Sequence, residues 1–83
     1  ANGNVRLAAL EALSKFHTQK HVRAALVESL ATQDDPVVQI ALIRMLVQIK
    51  ETDALKGLEK ITTDETVLPA VKTEAHAGIL RLS

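Results

Sequence analysis

His17 and His21 stand four positions apart, a spacing that can offer two imidazole ligands to a metal ion from one helix. Thr18 lies between them and marks a helix start, so the two flank a boundary instead of sharing a face. The chain has no cysteine, and no nearby carboxylate completes the roughly four ligands of a closed site. They read as two solvent-facing loop histidines, and no metal site is expected. For nucleophilic catalysis there are Ser14, Ser29 and the terminal Ser83. None sits in a Gly-x-Ser-x-Gly elbow or beside a paired His and Asp. Gly3, Gly57 and Gly78 are too scattered to form a phosphate-cradling loop. Two carboxylate pairs occur, Asp34-Asp35 and Asp64-Glu65. Both precede apolar runs, where negative charge complements the positive end of a helix. No constellation meets the geometric requirements of an active site. The chain is expected to be no enzyme, to carry no cofactor and to take no small-molecule substrate.

Composition narrows the alternatives. Apolar residues make up 47% of 83, enough for the core of one domain spanning 1–83. A chain of this size buries roughly 60–65% of the surface its unfolded form exposes, so modest stability is expected. Phe16 is the only aromatic residue, which leaves Ala, Leu, Val and Ile to do the packing. Ten Lys and Arg balance ten Asp and Glu, so no long-range field steers the chain onto nucleic acid or an anionic membrane. The lack of cysteine fits cytoplasm and periplasm alike. The longest apolar run, 40–47, is interrupted by Arg44 and falls well short of the roughly 20 residues of a membrane span. The opening Ala1-Asn2-Gly3-Asn4 reads as a loop, so a piece of a longer protein is expected.

The elements that would position any site come from an internal repeat. Shifting the chain by 33 positions lays Val5-Arg6-Leu7-Ala8-Ala9-Leu10 on Val38-Gln39-Ile40-Ala41-Leu42-Ile43. A second shift reaches Val71-Lys72-Thr73-Glu74-Ala75-His76. Phe16, Ile49 and Leu82 coincide, as do the only two prolines, Pro36 and Pro69. A fixed period of this length signals stacked helical units. Asp35-Pro36 is a helix start: Asp caps free backbone donors, and Pro has none to leave orphaned. Asn2-Gly3 takes that place in the first copy, whereas Leu68 before Pro69 makes a poor cap. Between the copies, Val22, Leu26 and Leu30 trace one helical face, and Leu55, Leu58 and Ile61 another, the second capped by Thr52. Helices are expected over 4–16, 19–32, 35–50, 53–63 and 67–82, with no strand. Short polar linkers make neighbours antiparallel. Val38, Leu42, Met45, Leu46 and Ile49 are the expected centre of the core.

The run Asp35-Pro36-Val37-Val38-Gln39-Ile40-Ala41-Leu42 resembles the second helix of a HEAT repeat, and Asn4-Val5-Arg6-Leu7-Ala8-Ala9-Leu10 fits that signature better still. The whole chain is thus similar to HEAT-like, armadillo-type helical repeats of the short bacterial kind. It also resembles, more loosely, the C-terminal HEAT-like region of some bacterial membrane-tethered, anti-sigma-like proteins. The resemblance implies an all-α, right-handed α-α superhelix of five antiparallel helices, about two and a half repeats. It further implies a protein-interaction or scaffold role, with a nucleic-acid-binding HEAT-like module as the alternative. In the family, the Arg after Val pairs with an Asp of a turn. Here Arg6 could meet Asp34 or Asp35, but Gln39 breaks the ladder, and Lys72 stands in the last copy.

In such stacks the second helices line the binding side. The stripe on that side is expected to carry Glu11 and Lys15, then Ala41, Arg44 and Gln48, then Glu74 and Arg81. A protein or peptide is the expected partner. His76 falls on Leu10 and Ile43, as a buried proton switch or, more simply, a histidine exposed where the stack ends. Leu7 and Leu10 match Ile40 and Ile43, positions expected to pack on the preceding pair. They are therefore expected to form an exposed patch through which the first helix could self-associate. Thr73 and His76, on the same reasoning, should meet the preceding pair and loosen the packing there.

Overall fold

Asp35 and Pro36 start the middle helix as their chemistry requires. The Asp35 carboxylate accepts the Val37 N–H at 3.0 Å, and Pro36 occupies the first turn. The structure, a computed structural model, describes residues 3–83. Its helices are α1 (Gly3–Ser14), α2 (Lys20–Thr32), α3 (Pro36–Gln48), α4 (Leu55–Thr63) and α5 (Pro69–Leu82). Among the described residues there are five α-helices and no strand. The Asn2 cap expected for α1 lies outside them. α5 begins at Leu68 without a side-chain cap, as that residue type foretells, and α2 begins after Gln19, one position beyond Thr18, also without one. The start of α4 differs from expectation. Glu51, not Thr52, accepts the Asp53 N–H at 3.3 Å, and a 3-10 turn at Thr52–Ala54 leads into the helix.

α3 ends at Gln48 in a six-residue wrap. Glu51 N–H donates to the Leu46 carbonyl at 2.9 Å, and Lys50 N–H to Val47 at 3.0 Å. Lys50 holds φ 58°, the left-handed conformation this motif demands and glycine usually supplies. A side chain there costs roughly 1–2 kcal/mol relative to ordinary helical backbone.

The helices form two layers. α1, α3 and α5 lie side by side, each of α1 and α5 against α3, while α2 touches α1, α3 and α4 from behind and α4 backs α5. The thinnest extent, 16 Å, is that of two helical layers. The 33-residue frame gives each front helix the same faces. One carries Val5, Ala9 and Ala12 in α1, Val38, Leu42 and Met45 in α3, and Val71, Ala75 and Gly78 in α5. The opposite face carries Leu7, Leu10 and Ser14, then Ile40, Ile43 and Val47, then Thr73, His76 and Leu80. Gly78 shows which way they point. A methyl group there would lie 3.2 Å from Ile43 Cγ2 and 3.3 Å from Val47 Cγ2 in α3, and 3.3 Å from Leu58 Cδ1 in α4. The Val71–Gly78 face therefore looks back to the preceding pair, and the Ile40–Val47 face looks forward.

That direction corrects the expectation for the ends. Leu10 is buried and Leu7 half-buried, because both face forward onto the rest of the stack. Thr73 and His76 also face forward, away from the other described helices, and both are exposed. α5 is not loosely packed, since its contacts with α3 and α4 run through the opposite face. The core is corrected in two places. Val38, Leu42 and Leu46 are fully buried as expected, but Met45 and Ile49 are only half-buried. Ile43, which faces α5, and Gln39 are buried instead.

Leu46→Ala should cost about 2–5 kcal/mol, because it opens a cavity in a fully enclosed site; a urea midpoint equal to that of the parent chain would refute the placement. Lys50→Gly should raise stability by roughly 0.5–1 kcal/mol, since glycine accepts the left-handed backbone at little cost. Chemical denaturation measures both.

Candidate functional site: the grooves on the front layer

All seven residues expected on the binding stripe come to one surface, and they line two grooves that share α3 as a wall. The first is an open groove of about 580 Å³ between α1 and α3. Leu7, Ile40, Ala41 and Met45 supply its apolar lining, with Glu11, Lys15, Arg44 and Gln48 around them. The second, about 470 Å³, lies between α3 and α5 and is bounded by Arg44, Gln48, Glu74 and Arg81, with Val47 and Gly78 beneath. Ala41 leaves room at the wall of the first groove, whereas Gly78 lets α5 approach α3 and α4 closely beneath the second. Arg44 spans the second groove to Glu74, Nη2 to Oε1, at 3.1 Å. Arg44 is largely exposed, so this pair contributes little to stability and mainly orients two charged groups across the surface. Leu7, Ile40 and Met45 were not expected here. Each lies beside the polar stripe in the helical frame, but apolar character alone had assigned them to the core or an end.

The turns at the layer's edge are held by polar groups. Arg6 Nη1 donates to Gln33 Oε1 at 2.6 Å and approaches Asp34 Oδ1 only at 4.0 Å, so the expected pairing with the turn is made chiefly through an amide. Gln39, where the ladder breaks, is buried and donates from Nε2 to the Gln33 carbonyl at 2.9 Å. A neutral amide there avoids the desolvation penalty a guanidinium would meet. On the far side, Arg23 donates from Nη1 to the His17 carbonyl at 2.7 Å and pairs through Nε with Glu51 Oε2 at 3.1 Å. This clasp, which ties the α1–α2 turn to the α3–α4 turn, was not read from the sequence, where the two residues lie far apart.

The candidate chemical residues do not converge. His17, His21 and His76 are exposed and lie on separate elements. Among the described residues no group of three or more His, Asp or Glu could hold a metal ion. Ser14 donates its hydroxyl to the Glu11 carbonyl at 2.7 Å. Asp35 is spent on capping α3, and Asp64 accepts both the N–H and the hydroxyl of Thr66, at 2.9 and 2.6 Å. No helix among the described residues is long and apolar enough to cross a membrane.

A family model described as HEAT repeats matches residues 1–78. The chain belongs to the HEAT repeat family. HEAT repeats are typically protein-interaction or scaffold modules, and the two layers of paired helices are the family's architecture. No curated protein and no solved structure matches the chain. The HEAT arginine position is thus occupied by Arg6, Gln39 and Lys72, each serving a turn in a different way. Lys72 does so through charge alone, as one of the cations acting on Asp64.

The Thr66 hydroxyl, then the Thr66 N–H, hold the Asp64 carboxyl below its ordinary pKa, with Lys72 and Lys60 adding a smaller push. A depressed folded-state pKa stabilises the fold above the unfolded value, and that contribution is lost as pH falls through the folded one. Asp64 should therefore titrate below a free aspartate by carboxyl-carbon NMR, and Thr66→Val should move its midpoint upward; an unchanged midpoint would show that the turn does not organise the carboxylate.

Proposed function

We propose that this HEAT repeat chain is a non-catalytic docking module that receives a protein or peptide in the groove between α1 and α3. The observation that carries this reading is the groove's make-up: an apolar lining of Leu7, Ile40, Ala41 and Met45 edged by Glu11, Lys15, Arg44 and Gln48. Concave apolar surface with a few fixed polar groups is what a short apolar anchor needs. Arg44 and Gln48 continue the surface to Glu74 and Arg81, so a longer segment would cross both grooves. The resemblance to HEAT-like regions of membrane-tethered, anti-sigma-like proteins fits the same reading, a docking domain within a larger assembly.

The nucleic-acid alternative finds less support. Around the two grooves, Lys15, Arg44 and Arg81 stand against Glu11 and Glu74, and the chain as a whole is neutral. Phosphate recognition requires a stronger basic surface.

Peptides selected by display on the immobilised chain provide the test. Ala41→Trp fills the first groove and should weaken the selected peptides at least about tenfold, while Lys56→Ala, on exposed α4 surface, should leave them unchanged. Peptides indifferent to Ala41→Trp would refute the groove. Tight binding of a DNA or RNA duplex that falls steeply with salt would replace the reading with the nucleic-acid one.

A further inference from the structure

The charges of the front layer are not spread evenly over the two grooves. Lys15, Gln48 and Arg81 stand 33 residues apart and hold the same place in the three front units. Arg44 stands one turn before Gln48, and Glu74 two turns before Arg81. The second groove therefore carries a guanidinium on each wall, Arg44 from α3 and Arg81 from α5, while its apolar lining is reduced to Val47 and Gly78. The first groove, by contrast, is lined by Leu7, Ile40, Ala41 and Met45.

Arg44 meets Glu74 through Nη2, and its side chain keeps 69% of its surface in solvent. Its other N–H donors remain available to a second carboxylate. Arg81 is exposed and, among the described residues, makes no ion pair. Arg44 and Arg81 against Glu74 leave an excess of one positive charge in this groove. One such charge matches one carboxylate, whereas a polyanion is recognised by a row of cations.

Spacing fixes how the two grooves can be filled together. They are the seams on either side of α3, and the axes of packed helices lie roughly 8–10 Å apart. In a polyproline II segment, with three residues per turn and a rise of about 3.1 Å, side chains i and i+3 point the same way about 9 Å apart. A β-strand places side chains of one face about 6.6 or 13 Å apart, which does not match.

We propose that the front layer binds a linear segment carrying an aliphatic side chain and an Asp or Glu three residues from it. The aliphatic group enters the first groove, and the carboxylate lies between Arg44 and Arg81 in the second. The aliphatic half rests on the docking role already assigned to the first groove; the anionic half is independent of it.

Random linear peptides displayed against the whole chain provide the probe, and fluorescence polarisation of the selected sequences reads their affinity. Asp or Glu should be enriched three positions from an aliphatic residue. Arg81→Glu should weaken these peptides at least about tenfold, and exchanging their acidic residue for Lys should restore binding to that variant but not to the parent chain. Lys56→Glu makes the same change of charge on exposed α4 surface and should leave the affinity unchanged. Arg81 is exposed, so the urea midpoint shows directly that the Arg81→Glu chain is folded. Peptides weakened by Ala41→Trp but indifferent to Arg81→Glu would leave the groove reading standing and overturn the anionic half. Enrichment of Lys or Arg, drawn by Glu11 and Glu74, would overturn it as well. So would equal losses with Lys56→Glu and Arg81→Glu, since the effect would then be one of net charge.

Discussion

α3 is enclosed on three sides, and the remaining elements take their places from that enclosure. Val38 lies near the start of α1, close enough that a methyl on Gly3 would come within 3.8 Å of it. Ile43 and Val47 lie against α5. Leu46 and Gln39 share the side turned to α2, whose end Gln39 reaches through the Gln33 carbonyl. The stripe of Val37, Ala41, Arg44 and Gln48 is turned to solvent, with Ile40 and Met45 half-buried beside it. A helix apolar around most of its circumference is stable only when surrounded, so α1, α2 and α5 must pack against it together. The grooves are a consequence, because they are the seams where α1 and α5 meet the one uncovered side of α3.

Cohesion in this arrangement is apolar, with polar groups fixing the edges. The ion pairs Arg44–Glu74 and Arg23–Glu51 retain solvent exposure on at least one partner, where such pairs contribute little. At the turns, Arg23 reaches the His17 carbonyl and the Glu51 carboxylate, Gln39 reaches the Gln33 carbonyl, and the Gln33 amide oxygen accepts from Arg6 and the Asp35 N–H, while Arg44 and Glu74 pair across the second groove. Gln39 makes the point most clearly. A buried arginine would have needed a full counter-charge, whereas the amide needs one carbonyl and finds it at 2.9 Å.

The period, the five helices, the Asp35-Pro36 start and the polar stripe were legible because each depends on local spacing or on one residue's chemistry. The direction of the stack was not. A repeat shows that Leu10, Ile43 and His76 are equivalent, but not whether that face looks forward or back, and assigning it backward misplaced Leu7, Leu10, Thr73 and His76 together. A single packed pair of residues, Gly78 on Ile43, carries the missing sign. The end of α3 was hidden for a different reason: Lys50 takes a conformation that only glycine would have advertised. The Arg23–Glu51 clasp depends on two turns meeting in space, which no window of sequence contains.

Once the direction is known, the two ends of the stack differ in kind. The forward end presents Thr73 and His76, with Leu80 79% exposed beside them. The backward end presents a valine, two alanines and the lone phenylalanine. Polar groups on an exposed helix face are tolerated in water because they need no partner there, whereas uncharged apolar surface gains most when it is covered. The asymmetry also bears on the grooves. Their walls belong to helices held from one side only, so α1, with its backward face open, is the more weakly supported wall of the first groove. α1 is thus the helix that contributes both to the first groove, through Leu7 and Glu11, and to the backward face, through Ala9 and Ala12.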